Sequence, residues 1–280
     1  MEIAETKSLI RNIVAEARKK NKTIGFVPTM GYLHDGHASL IQKSKKDGCF
    51  TIVSIFVNPL QFGPAEDFDR YPRDMERDIN ILKKEKTDAV FVPSVEEMYI
   101  NQHLTLVNVS RISEKFEGAI RPGHFTGVCT VVAKLFNIVQ PDRAYFGWKD
   151  AQQLVIIRKM VKDLDFHVDI IPVPTVREPD GLAASSRNVY LSPEERKRAL
   201  ILSKSLQQIG EMVEYKRIFE VNILLKEGEK IIKTENVTLQ YLEAVELENF
   251  EPVDKIGKNT AIVGAIKVGK VRLIDNIIWE

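Results

Sequence analysis

The sequence predicts an α/β protein, a doubly wound and mostly parallel Rossmann-like sheet joined to a second, smaller α+β domain. Three observations carry this prediction. Short apolar runs alternate with helical periodicity up to about residue 173, the pattern of a parallel sheet covered by helices on both faces. One of those runs passes through a glycine turn directly into a helix start, at Pro28-Thr29-Met30-Gly31-Tyr32-Leu33-His34-Asp35-Gly36-His37. Beyond residue 175 the pattern changes, and two helical runs precede a group of short strands.

Taken in order, Ser8 to Lys19 places Leu9, Ile10, Ile13, Val14 and Ala17 on one helical face. Ile24 to Val27 is a strand candidate, and Ala38 to Lys46 reads as the helix after it. Phe50 to Val57 is a second apolar strand, its Phe50 to Ile55 part compatible with a place near a sheet edge, and Asp74 to Lys86 a helix with Met75, Ile79 and Leu82 inward. Ala89 to Val92, Ala144 to Phe146 and Val168 to Val173 are further strands, separated by helical stretches at Thr126 to Ile138 and Ala151 to Val161. These apolar stripes read as core, with no cofactor role. A Pro-rich and then Gly-Leu-Ala-Ala-Ser-Ser-Arg segment with little periodicity sets a domain boundary within Thr175 to Arg187. The expected domains are 1–175, binding nucleotide and substrate, and 176–280, a lid. In the second, Ser192-Pro193-Glu194-Glu195 is a helix start, with a serine cap, proline at the first position and acids in the first turn. Strands follow at Leu239 to Val245, Ala261 to Val268 and Val271 to Ile274, the last two joined by Gly269-Lys270 as a hairpin turn.

Composition excludes some classes of function. Forty Lys and Arg stand against 39 Asp and Glu, so no global field draws the chain to nucleic acid or to a membrane. A bound polyanion has to be met by a local cluster. The acidic start Met1 to Thr6 has no basic leader with an apolar core, and no apolar run approaches the roughly 20 residues of a membrane span. A cytoplasmic protein is expected. Two cysteines, Cys49 and Cys129, without a Cys-x-x-Cys pair suit a reducing compartment and leave a single disulfide open.

The strand, glycine turn and helix start at Pro28 to His37 present free backbone N–H groups at the positive end of a helix, a ready site for phosphate. His34 and His37 add donors beside it. By spacing alone such a pair is more often two incidental surface histidines than a site. A zinc site would need further ligands from His103, His124, His167 and the two isolated cysteines. The local context is what favours phosphate. Open α/β sheets bind ligands at the carboxyl ends of their strands, and polar clusters recur there. Asn58 and Gln61 follow the second strand, with amides suited to a hydroxylated or carboxylate substrate or, alternatively, an Asn-Pro turn. Gly147-Trp148-Lys149-Asp150 follows a later one, with Gln152 and Gln153 behind it. Lys149 there reads as a phosphate clamp or as a solvated surface lysine. Arg121-Pro122-Gly123-His124-Phe125 is a glycine-punctuated loop, and Ser185-Ser186-Arg187-Asn188 is either a phosphate grip or a cap.

Six blocks in order between residues 24 and 191 together resemble the pantothenate synthetase family: Pro28 to His37, Phe56 to Phe62, Tyr71-Pro72-Arg73, Arg121 to Phe125, Phe146-Gly147 with Lys149-Asp150, and Val176-Arg177-Glu178 through Ser185 to Asn188. His34-Asp35-Gly36-His37 also resembles the His-x-Gly-His signature of the wider nucleotidyltransferase superfamily. Residues beyond 191 carry no matching motif. The resemblance implies ATP-dependent condensation of pantoate with β-alanine to pantothenate, AMP and pyrophosphate, through a pantoyl adenylate, with Mg2+ bridging the phosphates. It implies catalytic phosphate contacts for His34, His37 and Lys149, and ATP contacts for Met30, Gly147, Asp150, Val176, Ser185, Ser186 and Arg187. Pro28, Met30, Asn58, Gln61 and Gln153 are implied for pantoate, with Tyr71 and Arg121 as further contacts. A homodimer through the N-terminal domain is implied as well. Trp148 either stacks on adenine or packs at the sheet edge. Rival readings are a cytidylyltransferase-like or tRNA-charging enzyme and a nucleotide sensor without turnover; near-neutral charge without a basic stripe disfavours tRNA.

Overall fold

The computed structural model describes residues 1–64, 66–99 and 103–280, which form two compact units. Met1–Gly147 with Ile156–Val173 make the first, Trp148–Val155 with Pro174–Glu280 the second. The two units interleave in sequence, where the periodicity suggests a single division between 175 and 176.

The first unit holds strands β1 (Glu2–Ala4), β2 (Ile24–Thr29), β3 (Phe50–Ile55), β4 (Ala89–Phe91), β5 (Arg143–Gly147) and β6 (Asp169–Val173). They form one parallel sheet in the order β1-β4-β3-β2-β5-β6. Helices α1 (Lys7–Lys19), α2 (Asp35–Lys46), α3 (Met75–Lys84), α4 (Val95–Met98), α5 (Glu117–Ile120) and α6 (His124–Val139) intervene, and α7 (Ala151–Asp163) runs on from β5. Thr6 caps α1 by accepting from Leu9 N–H at 3.2 Å, and Asp74 caps α3 from Arg77 N–H at 3.0 Å. Interior parallel strands are covered on both faces, so they read as continuous apolar runs, and β3 has five of its six residues buried. That corrects the expected placing of Phe50 to Ile55: β3 lies between β4 and β2 and offers no edge to a second copy. Val27, Leu33, Leu40, Ile41, Val53 and Tyr145 share one core.

Chain order reverses between β2 and β5, the switch point at which such sheets bind ligands. The β2–β5 ladder pairs Gly25 with Arg143 and Phe26 with Ala144, and Pro28 lies beyond those pairs. A proline without an N–H is tolerated there because it interrupts no ladder bond to β5.

The second unit has helices α8 (Pro193–Glu214) and α9 (Val221–Ile232) against an antiparallel sheet of β7 (Thr238–Glu246), β8 (Thr260–Val268) and β9 (Val271–Trp279). The expected start of α8 is a capping box, Glu195 N–H to Ser192 Oγ at 3.2 Å and Ser192 N–H to Glu195 Oε2 at 3.0 Å. Gly269, at φ +57°, and Lys270 make the two-residue hairpin between β8 and β9. Among the described residues no helix is long and apolar enough to cross a membrane.

Candidate active site

The loop leaving β2 is shaped by its own side chains and by one buried acid. Thr29 Oγ1 donates to Ser54 O at 2.7 Å and accepts from Gly31 N–H at 3.1 Å, turning the chain at the strand end. Gly31 has φ +82°, and a Cβ there would stand 2.9 Å from Ile55 Cγ2 and 3.0 Å from Asp78 Oδ2. A side chain is excluded twice, by conformation and by space. Tyr32 N–H and Leu33 N–H donate to the two oxygens of Asp78, each at 2.7 Å. Leu33 is fully buried, which anchors the loop by roughly 2 kcal/mol of apolar burial.

The helix starts inside the motif, at Asp35, earlier than apolar periodicity suggests, because His34 is its cap. His34 Nδ1 accepts from Gly36 N–H at 3.1 Å, and His37 Nδ1 accepts from His34 N–H at 3.3 Å. An imidazole nitrogen that accepts carries no proton, so in the neutral rings Nε2 holds it on both histidines. The rings lie 4.1 Å apart between centroids. Two N–H donors therefore stand beside the positive end of α2, an arrangement suited to phosphate oxygens.

Asn58 and Gln61 adjoin this loop. Asn58 is fully buried: its Nδ2 donates to Gln61 Oε1 at 3.1 Å and Gly127 O at 3.0 Å, while Oδ1 accepts from Tyr99 OH at 2.8 Å and Leu60 N–H at 3.3 Å. Its amide is thus spent within the protein, and what it does is orient Gln61. With Oε1 accepting from Asn58, the Gln61 Nε2 group is the donor, 3.4 Å from Met30 Sδ. Helix α6 approaches this turn so closely that a Cβ at Gly127 would lie 2.1 Å from Leu60 O.

Beneath Gln61 is a clamp built on the Arg121 to Phe125 loop, where the resemblance implies Arg121 as a further pantoate contact and gives His124 no role. His124 Nδ1 lies 2.8 Å from Gln61 O and its Nε2 3.0 Å from Arg121 Nη1. Arg121 is held in turn by Glu66, Nε and Nη2 each 2.7 Å from a carboxylate oxygen. Arg121 can only donate, so Nε2 of His124 accepts and Nδ1–H donates to Gln61 O. Burial, reinforced by the Arg121 charge, pushes His124 down to about 4. The unfolded chain takes up this proton below pH 6.5, the folded chain only near 4, so stability drops as pH falls through that window and is unaffected above it. The expected loss is on the order of 2–3 kcal/mol. Urea unfolding from pH 7.5 to 4 checks it: His124→Asn, which keeps a donor toward Gln61 O and does not titrate, should flatten that slope, and an unchanged slope would sink the assignment. Tyr71, buried, packs edge-on to Phe62 with centroids 5.9 Å apart.

The second unit brings together other predicted residues. Trp148, Lys149 and Asp150 form a 3₁₀ turn ahead of α7, with Trp148 only 4% exposed, so its ring is packed in. Lys149 Nζ lies 3.4 Å from Asp150 Oδ1. Gln153, on α7, is half-buried. Ala184 N–H bonds Val176 O at 2.9 Å, and Ser185 caps a 3₁₀ turn from Ser186 to Tyr190 by accepting from Arg187 N–H at 3.3 Å. Ser185 thus serves as cap and stands beside Arg187. No group of three or more His, Cys, Asp or Glu among the described residues is arranged to hold a metal ion.

A parallel α/β sheet whose strand β2 opens through a glycine turn into a histidine-capped helix start defines a Rossmann-like protein. The model of the pantoate-beta-alanine ligase family matches residues 2–278, and the chain belongs to that family. The pantothenate synthetase of Thermoanaerobacter pseudethanolicus is 54% identical over 280 residues, spanning 100% of this chain and 99% of that protein. That of Acetivibrio thermocellus is 51% identical across 100% of both. The crystal structure of pantothenate synthetase from Thermus thermophilus matches with a TM-score of 0.94 at 44% identity over 100% of both chains. The Francisella tularensis ligase, complexed with beta-gamma ATP and β-alanine, matches at 0.81 with 36% identity over 99% and 97% of the two chains. The protein is a ligase of pantothenate biosynthesis, and its reaction is pantothenate formation.

Proposed function

We propose that the enzyme joins pantoate to β-alanine through a pantoyl adenylate made from ATP. A carboxylate acylates poorly because oxide is a poor leaving group. A pantoate oxygen therefore attacks the α-phosphorus, the bond to pyrophosphate breaks, and the amine of β-alanine then displaces AMP from the acyl carbon. The carboxylate is already ionised at neutral pH, so the first step needs no general base. The observation that carries this reading is the pair of Nε2–H donors fixed by the cap of α2, beside a helix N-terminus. The Francisella relative's complex with ATP and β-alanine supports the same substrates.

In this reading His34, His37 and Lys149 meet the negative charge that builds on the phosphates. Ser185, Ser186 and Arg187 hold the triphosphate, with Met30, Gly147, Asp150 and Val176 completing the ATP contacts. Gln61, Gln153, Met30 and Pro28 hold pantoate, and Asn58 acts through Gln61. Magnesium comes with the nucleotide, which suits donors that are mostly cationic or hydroxyl, since Mg2+ takes few protein ligands when phosphates carry it. Arg121, paired to Glu66, serves the Gln61 clamp. A cytoplasmic homodimer through the N-terminal domain belongs to the reading, and the free, buried Cys49 and Cys129 suit a reducing compartment.

The test is pyrophosphate release from ATP and magnesium with pantoate, with and without β-alanine, alongside AMP and pantothenate. Sustained turnover with all three substrates and a single burst without the amine is expected. No pyrophosphate under any condition, from protein shown to bind ATP, overturns it. For Gln61→Ala, weaker pantoate binding with ATP binding little altered is expected; equal loss of both contradicts the assignment.

A further inference from the structure

We propose that Asp275 and Asn276, consecutive on β9, are positioning residues that hold two phosphate-binding segments of the second unit, 148–150 and 176–188, in place. The inference rests on the roles read above for Lys149 and Arg187. Asn276 is 6% exposed, and its Nδ2 donates to Trp148 O at 2.8 Å and to Lys149 O at 3.0 Å. Both hydrogens of one buried amide are thus committed to the main chain on which Lys149 is mounted. Asp275, 5% exposed, takes Arg177 Nη1 at 2.6 Å and Nη2 at 3.0 Å, a two-pronged charge-assisted pair, and accepts Asn276 N–H at 2.8 Å.

Arg177 opens a closed strap. It bridges to Ala183 across a β-bridge and donates to Gly181 O at 3.2 Å, while Glu178 N–H bonds Leu182 O at 2.8 Å. Asn188 Nδ2 closes the far end on Ala183 O at 3.0 Å and Glu178 Oε1 at 2.6 Å. Ser185, Ser186 and Arg187 ride on that strap. Neighbouring strand residues face opposite sides of a sheet, so one dipeptide reaches two segments far apart in sequence. A lysine's four-carbon stem is flexible, and where its ammonium falls depends on how firmly its main chain is held.

The experiment is a double-mutant cycle on the full chain, read as kcat and KM for ATP in the pyrophosphate assay with pantoate. Asn276→Ala should lower kcat about 10- to 100-fold with a smaller change in KM. In a Lys149→Ala background the same substitution should cost little more, because Asn276 acts through Lys149. An undiminished further loss in the double variant, or unchanged kcat in Asn276→Ala, overturns the proposal. Normal turnover in Lys149→Ala alone would instead remove the role given to Lys149. Should Asn276→Ala fail to fold, Asn276→Ser, which keeps one donor, enters the same cycle with the same criteria. Asn276→Gln, which keeps both donors, should recover part of the rate; a merely space-filling role predicts no such recovery.

Discussion

Asparagine in place of His34 is expected to leave the protein folded while lowering adenylation, read as pyrophosphate release, by a factor on the order of 10² to 10³. The choice of asparagine matters because His34 has two tasks. Its Nδ1 caps α2 through Gly36 N–H, and its Nε2 is the donor that the phosphate reading uses. Asparagine is among the best N-caps, so it retains the first task and removes the donor at the Nε2 position, its own shorter amide N–H₂ falling nearer the main chain, whereas alanine would lose both and add about 1 kcal/mol of cap loss. Thermal melting and the pyrophosphate assay on both variants separate the two. Comparable melting in His34→Asn and parent with a large loss of rate supports the assignment. Turnover near that of the parent would end it. His37 offers a parallel check, since glutamine at the third helical position rebuilds the capping box and returns an amide donor. His37→Gln should therefore lose less than His37→Ala.

The sheet was legible because parallel strands buried on both faces write themselves as apolar runs, and β2 through β5 do so, while β6, at the sheet edge with only Val173 buried, is marked by Ile170 and Ile171. β1 escaped: it has three residues, only Ala4 buried, and too little sequence to show a period. Strand β9 is the more instructive case. The sequence pattern marks it only from Val271 to Ile274, and the Asp and Asn that follow belong to residue types depleted in strands. The ladder nevertheless continues, with Gly264 opposite Asp275 and Val263 opposite Asn276, out to Trp279. Those two polar residues stay in the strand because each has partners elsewhere in the unit. Local propensity lost to tertiary bonding at the place where the segments bearing Lys149 and Arg187 are tied down.

The site shows the same division. Residues contributed by turns, His34, Gln61, Lys149 and Arg187, were visible because glycines, a proline and strand ends mark such places. The supports were not, because a helix records its partners only through burial. His124 sits one residue past a glycine, and nothing local says that its ring reaches back to the carbonyl of Gln61. One faint signal existed for Asp78. It stands four residues before Leu82, on the apolar stripe of α3, where a carboxylate is out of place unless something buried needs it.

What needs it is the loop after β2, and removing it should be costly. Asp78→Ala strands two N–H donors, that of Leu33 buried and that of Tyr32 half-buried, each loss worth about 1–3 kcal/mol at most. Part of that cost is offset, because burial raises the carboxyl above its ordinary range. The folded chain takes up this proton at higher pH than the unfolded chain, so ionised Asp78 opposes folding at neutral pH. A net destabilisation of about 2–4 kcal/mol is expected for alanine, measured by urea unfolding at pH 7. The rate should suffer more than stability alone explains. Gly31, Tyr32 and Leu33 set the angle at which His34 enters α2, and a displacement of about 1 Å there is enough to cost on the order of 10² in rate. Asp78→Asn isolates the geometric part. It relieves the buried charge but turns an amide N–H₂ toward one of the two backbone donors, so it should melt close to the parent and still lose at least about tenfold in pyrophosphate release. A charge that works against stability is then accounted for by what its two oxygens hold in place; equal losses of stability and rate in Asp78→Asn, or full activity in Asp78→Ala, would contradict that account.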